Sequence, residues 1–321
     1  MSDPGAISAL EPAGTQAEQI RRLFDGYLGV SILVFILVMG ALVVGLRRER
    51  REDEPPHEES PPDVMKRKAR VVGSATAVTV VTLVVLLVMS VVTGRALASL
   101  TPRDALAIEI TGHRWWWDVK YPDAISSNAV RTAYEIHVPL GRPVELRLVS
   151  HDVIHSFWVP SLGPKRDLIP GKPSTLVLRA DRPGTFDGLC AEYCGLQHAN
   201  MRLRVVVEPE REFQAWLTQM RAPAREPQTE REEHGRSVFL AGRCVACHAI
   251  VGTTAFAAVG PDLTHVGSRS AIAMGTLPND VRSIRSWIED PQHAKAGVIM
   301  PEGGISDGDL DDLALYLSSL R

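Results

Sequence analysis

The chain has 321 residues, with 35 Lys and Arg against 38 Asp and Glu and a formal net charge of −3. That balance argues against a nucleic-acid partner, which would call for a basic surface, and the length suggests about two domains. The chain holds four cysteines, and they fall in two short clusters, so each cluster has to be read as a site in its own right.

Residues 1–25 are mostly polar and read as an N-terminal extracytoplasmic segment. Two uncharged apolar runs follow, from Gly26 to Leu46 and from Val71 to Thr93. Both lack Pro, and each reaches the roughly 20 residues a helix needs to cross the hydrocarbon core. Arg47, Arg48, Arg50 and Arg51 follow the first run, and Lys66, Arg67, Lys68 and Arg70 precede the second. Basic residues close to membrane ends mark the cytoplasmic side. The expected arrangement is a two-helix transmembrane hairpin over residues 26–99 with a cytoplasmic loop at 47–70. A multi-pass protein of a bacterial inner membrane follows, embedded in membrane lipid, with everything from residue 100 on the periplasmic side. Arg21 and Arg22 ahead of the first run leave a cleaved signal peptide as the other reading.

Residues 100–208 alternate or are β-branched in five stretches: Leu106–Ile110, Tyr134–Val138, Val144–Val149, Ser174–Arg179 and Leu203–Val207. Pro and Gly turns separate them, which suggests a sandwich or barrel. A short amphipathic helix from Glu210 to Met220 and a Pro-containing linker fill residues 209–229. Beyond 230 the period changes to that of a helix. One helix is expected from Asn279 to Asp290, capped by Asn279. Another runs from Ser306 to Leu320, with Ser306, Asp307 and Asp309 at its N-terminal end.

The stretch from Cys190 to Met201 reads CAEYCGLQHANM. It offers two thiols (Cys190, Cys194), an imidazole (His198), a thioether (Met201) and a carboxylate (Glu192). Soft copper prefers such donors, and two thiols leave room for two metal ions to share them. A second imidazole must come from elsewhere, and His155, set among apolar residues, is the best candidate. A structural zinc held by His155, Cys190, Cys194 and His198 and a Cys190–Cys194 disulfide are the competing readings.

Cys244-Val245-Ala246-Cys247-His248 is a haem c attachment pattern. Its thiols, Cys244 and Cys247, would bond the porphyrin covalently and His248 would be the proximal ligand. Two methionines compete for the distal position, Met300 and Met274. Met300, followed by Pro and set between two helices, resembles the distal methionine of the class I cytochromes c, and that resemblance favours it.

Three blocks, CAEYCGLQHANM, DVIHSFWVPSLGPKRDLIPG and GHRWWWDVKY, make residues from the first apolar run to about Val207 resemble subunit II of the haem-copper cytochrome c oxidases. The resemblance implies two transmembrane α-helices, then an all-β cupredoxin-like barrel carrying the binuclear copper centre CuA. The residues from 230 on resemble a small all-α class I cytochrome c domain fused to the C-terminus. Carried over by motif position, Cys190 and Cys194 would bridge the coppers and His155 and His198 would each hold one. Met201 and the Glu192 carbonyl would be weak outer ligands, the Glu192 side chain would reach a Mg or Mn ion at the contact with subunit I, and Trp115 would be the residue through which electrons enter. Implied partners are subunit I, subunit III and an external cytochrome or membrane-bound donor. The function implied is delivery of electrons from haem c through CuA to subunit I, where oxygen is reduced with proton pumping. A nitric oxide reductase with a CuA subunit and a copper-binding assembly factor are the alternatives. Asp152, Glu135 and Asp167 could guide docking, and a short linker should leave the haem domain limited rocking. The family's acidic residue near the start of the second span has no counterpart in MKRKARVVGSATAVTVV, so that role is not carried over.

Overall fold

The structure, a computed structural model, describes residues 7–49, 62–98 and 104–321. Residues 1–6, 50–61, with Arg50 and Arg51 and most of the expected cytoplasmic loop, and 99–103 lie outside the described residues. Two compact units are present, one made of residues 18–100 and the other of residues 1–17 with 101–321.

The smaller unit is two helices, α1 (Thr15–Glu49) and α2 (Pro62–Ala98). With 35 and 37 residues they run about 50 Å each, well past the roughly 30 Å hydrocarbon core. Both spans therefore extend beyond the apolar runs at either end. Their apolar windows have mean hydropathy 2.8 and 2.6 and expose their side chains, as lipid-facing helices do. Tyr27 Oη donates to Leu86 O at 3.0 Å, tying one helix to the other.

The larger unit opens with ten strands. They are β1 (Leu106–His113), β2 (Trp116–Tyr121), β3 (Val130–Ala133), β4 (Glu135–Pro139), β5 (Pro143–Ser150), β6 (His155–Trp158), β7 (Arg166–Leu168), β8 (Ser174–Arg179), β9 (Gly184–Cys190) and β10 (Arg202–Glu208). They form two five-stranded sheets, ordered β3-β2-β1-β5-β8 and β4-β10-β9-β6-β7. Parallel pairs β1–β5 and β4–β10 sit inside otherwise antiparallel sheets, a cupredoxin-like arrangement. Ile108 and Ile110 of β1, Leu146 and Leu148 of β5, and Leu203, Val205 and Val207 of β10 turn into the core, the period-two pattern of half-buried strands. Gln16, at the start of α1, donates to Val177 O at 3.0 Å, so the first residues of the chain belong with this β-domain.

Next comes α3 (Glu210–Arg221), which buries Phe213, Leu217 and Met220. Its Trp216 stacks on His137 with ring centroids 4.2 Å apart. The remaining elements are α4 (Glu230–Ala241), a two-residue hairpin pair β11 (Ala271–Ile272) and β12 (Leu277–Pro278), α5 (Val281–Glu289), α6 (Pro291–Ala294) and α7 (Asp307–Ser319). Phe239, Ile284, Ile288, Leu310, Leu313 and Leu317 make a second core. Ser306 caps α7 by accepting from Asp309 N at 3.3 Å. The cap of α5 is Asp280, which accepts from Ser283 N at 2.8 Å, and not Asn279. The Asn279 amide is already committed to the carbonyls of Val266 and Arg269, at 2.8 and 2.6 Å.

Helices α4 and α7 cross at Gly235, where a Cβ would fall 2.1 Å from Asp312 O. Backbone cannot retreat as a side-chain tip can. Gly235→Ala is therefore expected to destabilise the helical domain by about 2 kcal/mol or more, read as a lower midpoint of thermal unfolding.

The segment between the domains is stitched down. Ala224 N donates to Val251 O at 2.9 Å, Arg225 bonds Ser319 O and Glu232, each at 2.7 Å, and His265 Nε2 donates to Ala222 O at 3.0 Å. These bonds tie the segment to the helical domain, which meets the β-domain elsewhere, where Ser270 N donates to Glu135 at 2.9 Å and Gln197 Nε2 donates to Ala296 O at 2.8 Å.

Candidate metal and haem centres

Strands β9 and β10 pair antiparallel and open into the loop that carries the donor atoms. Cys190 N donates to Met201 O at 3.0 Å and closes the mouth of that loop. Gly195, at φ +113°, makes the turn that sends the chain back. On the neighbouring strand β6, His155 is fully buried. Gly112 clears space for it, since a Cβ there would lie 2.9 Å from His155 Cδ2.

The sulfur atoms of Cys190 and Cys194 stand 3.8 Å apart, and both cysteines are free. His155 Nδ1 lies 3.9 Å from Cys190 Sγ, and His198 Nδ1 lies 3.6 Å from Cys194 Sγ. Met201 Sδ is 3.8 Å from Cys194 Sγ, and Glu192 O is 3.2 Å from Cys190 Sγ. Ligand atoms of His155, Cys190 and Cys194 all fall within 4.8 Å of one another. Each thiol therefore has its own imidazole, and thioether and carbonyl flank the pair on separate sulfurs. A single zinc would leave the last two unused. The Cys194 thiol beside it pulls Cys190 well below the ordinary thiol range, against the cost of burial, while Cys194 is pushed up by the same neighbour.

His155 is oriented from behind. Its Nε2 lies 2.8 Å from Asp152 Oδ1, and Asp152 in turn accepts from Arg114 N and Val153 N, each at 2.7 Å. Burial raises the Asp152 pKa, but these hydrogen bonds outweigh it and hold the carboxylate below its usual range. Asp152 is thus committed to the site and is not a free docking charge. Glu135 is likewise taken up, accepting from Ser270 N at 2.9 Å, whereas Asp167 is exposed. Carboxylates that orient a ligating imidazole typically change metal affinity 10–100-fold. Asp152→Asn should weaken copper retention by about that factor, measured by competition with a chelator. Retention at the parental level would remove this role.

At the second cluster Cys244, Cys247 and His248 lie on one turn, with Cys247 N and His248 N both bonded to Cys244 O. His248 Nδ1 donates to Pro261 O at 2.8 Å, which leaves Nε2 as the free lone pair. Burial holds this imidazole below its usual pKa, so it stays neutral and able to ligate. Gly260 is required beside it, since a Cβ would come 2.7 Å from His248 Cε1. Met300 packs with the core of this domain. Met274 is buried in the core of the β-domain.

Trp115 joins the two regions. Its Nε1 donates to Cys194 O at 2.9 Å. Only 7% of it is exposed, and on either side a Cβ at Gly195 would lie 3.0 Å from its Cζ2 and one at Gly297 3.4 Å from its Cη2. Trp116 stacks on His113 at 4.4 Å and Trp117 is fully buried. Sequence reasoning missed Lys295. Nothing in its neighbourhood marks a lysine as buried, yet it is 2% exposed.

What this arrangement serves is the passage of electrons, on a protein anchored by two membrane-capable helices. Residues 124–209 match the family described as cytochrome C oxidase subunit II, periplasmic domain, and residues 232–321 match cytochrome c. A cytochrome c oxidase subunit 2 of Alkalihalophilus pseudofirmus is 35% identical over 321 residues, covering 98% of this chain and 91% of its own length. One from Bacillus subtilis is 30% identical over 231 residues, 68% of this chain and 63% of that protein. Among solved structures, the periplasmic domain of subunit II of cytochrome oxidase from Bradyrhizobium japonicum is similar at 29% identity, with a TM-score of 0.35, over 38% of this chain and 96% of that one. The chain belongs to the cytochrome c oxidase subunit II family. It is an oxidoreductase subunit whose family implies copper in the β-domain, haem in the helical domain and subunit I of a haem-copper oxidase as partner.

Proposed function

We propose that this chain is the electron-input subunit of a terminal oxidase of a bacterial inner membrane, with a haem c ahead of a two-copper centre. Cys244 and Cys247 would anchor the haem covalently, with His248 and Met300 as its axial ligands. Cys190 and Cys194 would hold both coppers, His155 and His198 one each, with Met201 and Glu192 O as outer donors. Copper and haem would supply the one-electron chemistry. The residues supply rigidity: a buried strand, a loop tied at its mouth and an imidazole braced by Asp152 keep the donors in place between oxidation states. Trp115, hydrogen-bonded to Cys194 O, would be the contact through which the copper loop receives electrons. The Glu192 side chain would face subunit I and a Mg or Mn ion there. Subunit III and an external cytochrome or membrane-bound donor complete the proposed partners.

The observation that carries this reading is a 3.8 Å sulfur pair with an imidazole beside each thiol, His155 by Cys190 and His198 by Cys194. Metal and haem analysis of the purified full chain tests it. Two coppers, one covalent haem and a near-infrared band from the mixed-valence pair are expected. One copper, or zinc in its place, would sink the proposal.

A further inference from the structure

Lys295 comes from the haem domain, five residues ahead of Met300, and its ammonium is sealed from solvent. Three carbonyl oxygens accept from Nζ: Trp115 O at 3.1 Å, Asn200 O at 3.0 Å and Ala273 O at 3.3 Å. Two of these belong to the β-domain and one to the haem domain. An ammonium has three donors and no acceptor, so the socket matches it group for group. Burying a charge is costly unless its hydrogen bonds are all made. Here burial pulls the lysine pKa down to about 8, and the carbonyls offset that cost only while the two domains are in contact. The loop that follows is pinned as well. Gln197 Nε2 donates to Ala296 O at 2.8 Å across the contact. Gln292 braces the turn from within, accepting from Gly297 N at 2.7 Å and donating to Val298 O at 2.8 Å. Gly297, at φ +86°, lies beside the Trp115 indole, where a Cβ would come 3.4 Å from Cη2.

We propose that Lys295 is a positioning residue: seated on the Trp115 and Asn200 carbonyls, it latches the loop leading to Met300 over the Trp115 indole and shuts that indole off from outside donors. The inference rests on the reading that the haem domain feeds the copper loop. Because the contact is built in, delivery to the copper loop needs no search between domains, and an outside donor meets only the haem domain.

The test compares the full, haem- and copper-loaded protein with its Lys295→Met variant, which keeps the length and loses the charge. Hydrogen exchange is followed in peptides covering residues 112–118, 195–201 and 293–300. Intramolecular transfer from haem to copper is followed after flash reduction at increasing viscosity. In the parent, exchange in these peptides should be slow and the transfer rate independent of viscosity. In the variant, exchange should rise about tenfold or more, and transfer should slow and become viscosity-dependent while both optical spectra and the copper content stay unchanged. Exchange and viscosity dependence equal to the parent would overturn the latch. If Lys295→Met fails to load both centres, Lys295→Gln, shorter but polar, is read in its place by the same criteria. A parent with no haem-to-copper transfer at all would defeat the electron-input reading, and the exchange data would still judge the latch.

Discussion

Replacing either cysteine of the copper loop by serine is expected to abolish the two-copper centre. Copper content should fall from two per chain to one or none, and oxygen consumption by the assembled oxidase should drop at least about 100-fold. Orienting groups behind a metal ligand already change affinity by about 10–100-fold, and sulfurs proposed to bridge the coppers should matter more. A serine hydroxyl is a hard donor that stays protonated near neutrality and cannot share two soft ions. Cys190 lies at the end of β9 and Cys194 on the loop beyond it, so the same change leaves the haem cluster untouched. Covalent haem should remain at one per chain. Full copper loading in Cys190→Ser or Cys194→Ser would show that the sulfurs do not hold the metal.

The second large effect separates the two methionines. Met300→Leu should lower the haem potential by on the order of 100 mV, a fraction of the roughly 0.8 V that axial ligands span, because a His/Met pair raises it. The ferric spectrum should change with it. Met274→Ala should leave that spectrum alone. Met274 is 5% exposed and packed in the core of the β-domain, so its loss leaves a cavity there at a cost of about 2–5 kcal/mol. Thermal unfolding and redox titration of both variants distinguish the outcomes. A potential shift in Met274→Ala with none in Met300→Leu would reverse the axial assignment.

The residues proposed to carry chemistry stand out most in the sequence, because ligand types at short spacing leave few alternatives. Most strands found from sequence alternate drier and wetter positions, such as β1 and β10, while β4, buried almost throughout, is the exception. Strand β2 buries residues on both faces and shows no alternation. Strand β9 carries two glycines, and at Gly188 a Cβ would lie 2.7 Å from Trp158 O, so its sequence resembles a turn. The start of α4 was legible and passed over. Thr229 accepts from Glu232 N at 3.1 Å, and a Thr followed three residues later by Glu is a helix-start signature. Lys295 could not be read, since its three acceptors are backbone oxygens from distant parts of the chain. Asp152 stands only three residues before His155, but its contact with the ring depends on the turn that folds its carboxylate back toward Nε2.

The strap at residues 222–229 has a consequence for evolution as well as for rate. A carrier joined by a slack leash multiplies its local concentration yet still samples many poses. Here the leash is sewn to its own domain by Arg225 and Ala224, and that domain is bonded to the β-domain through Gln197 and Glu135, so the fusion presents the carrier as a fixture. Selection on collision then moves outward. On the proposed electron-input role, the surface left to meet an external donor is the outer rim of the haem domain.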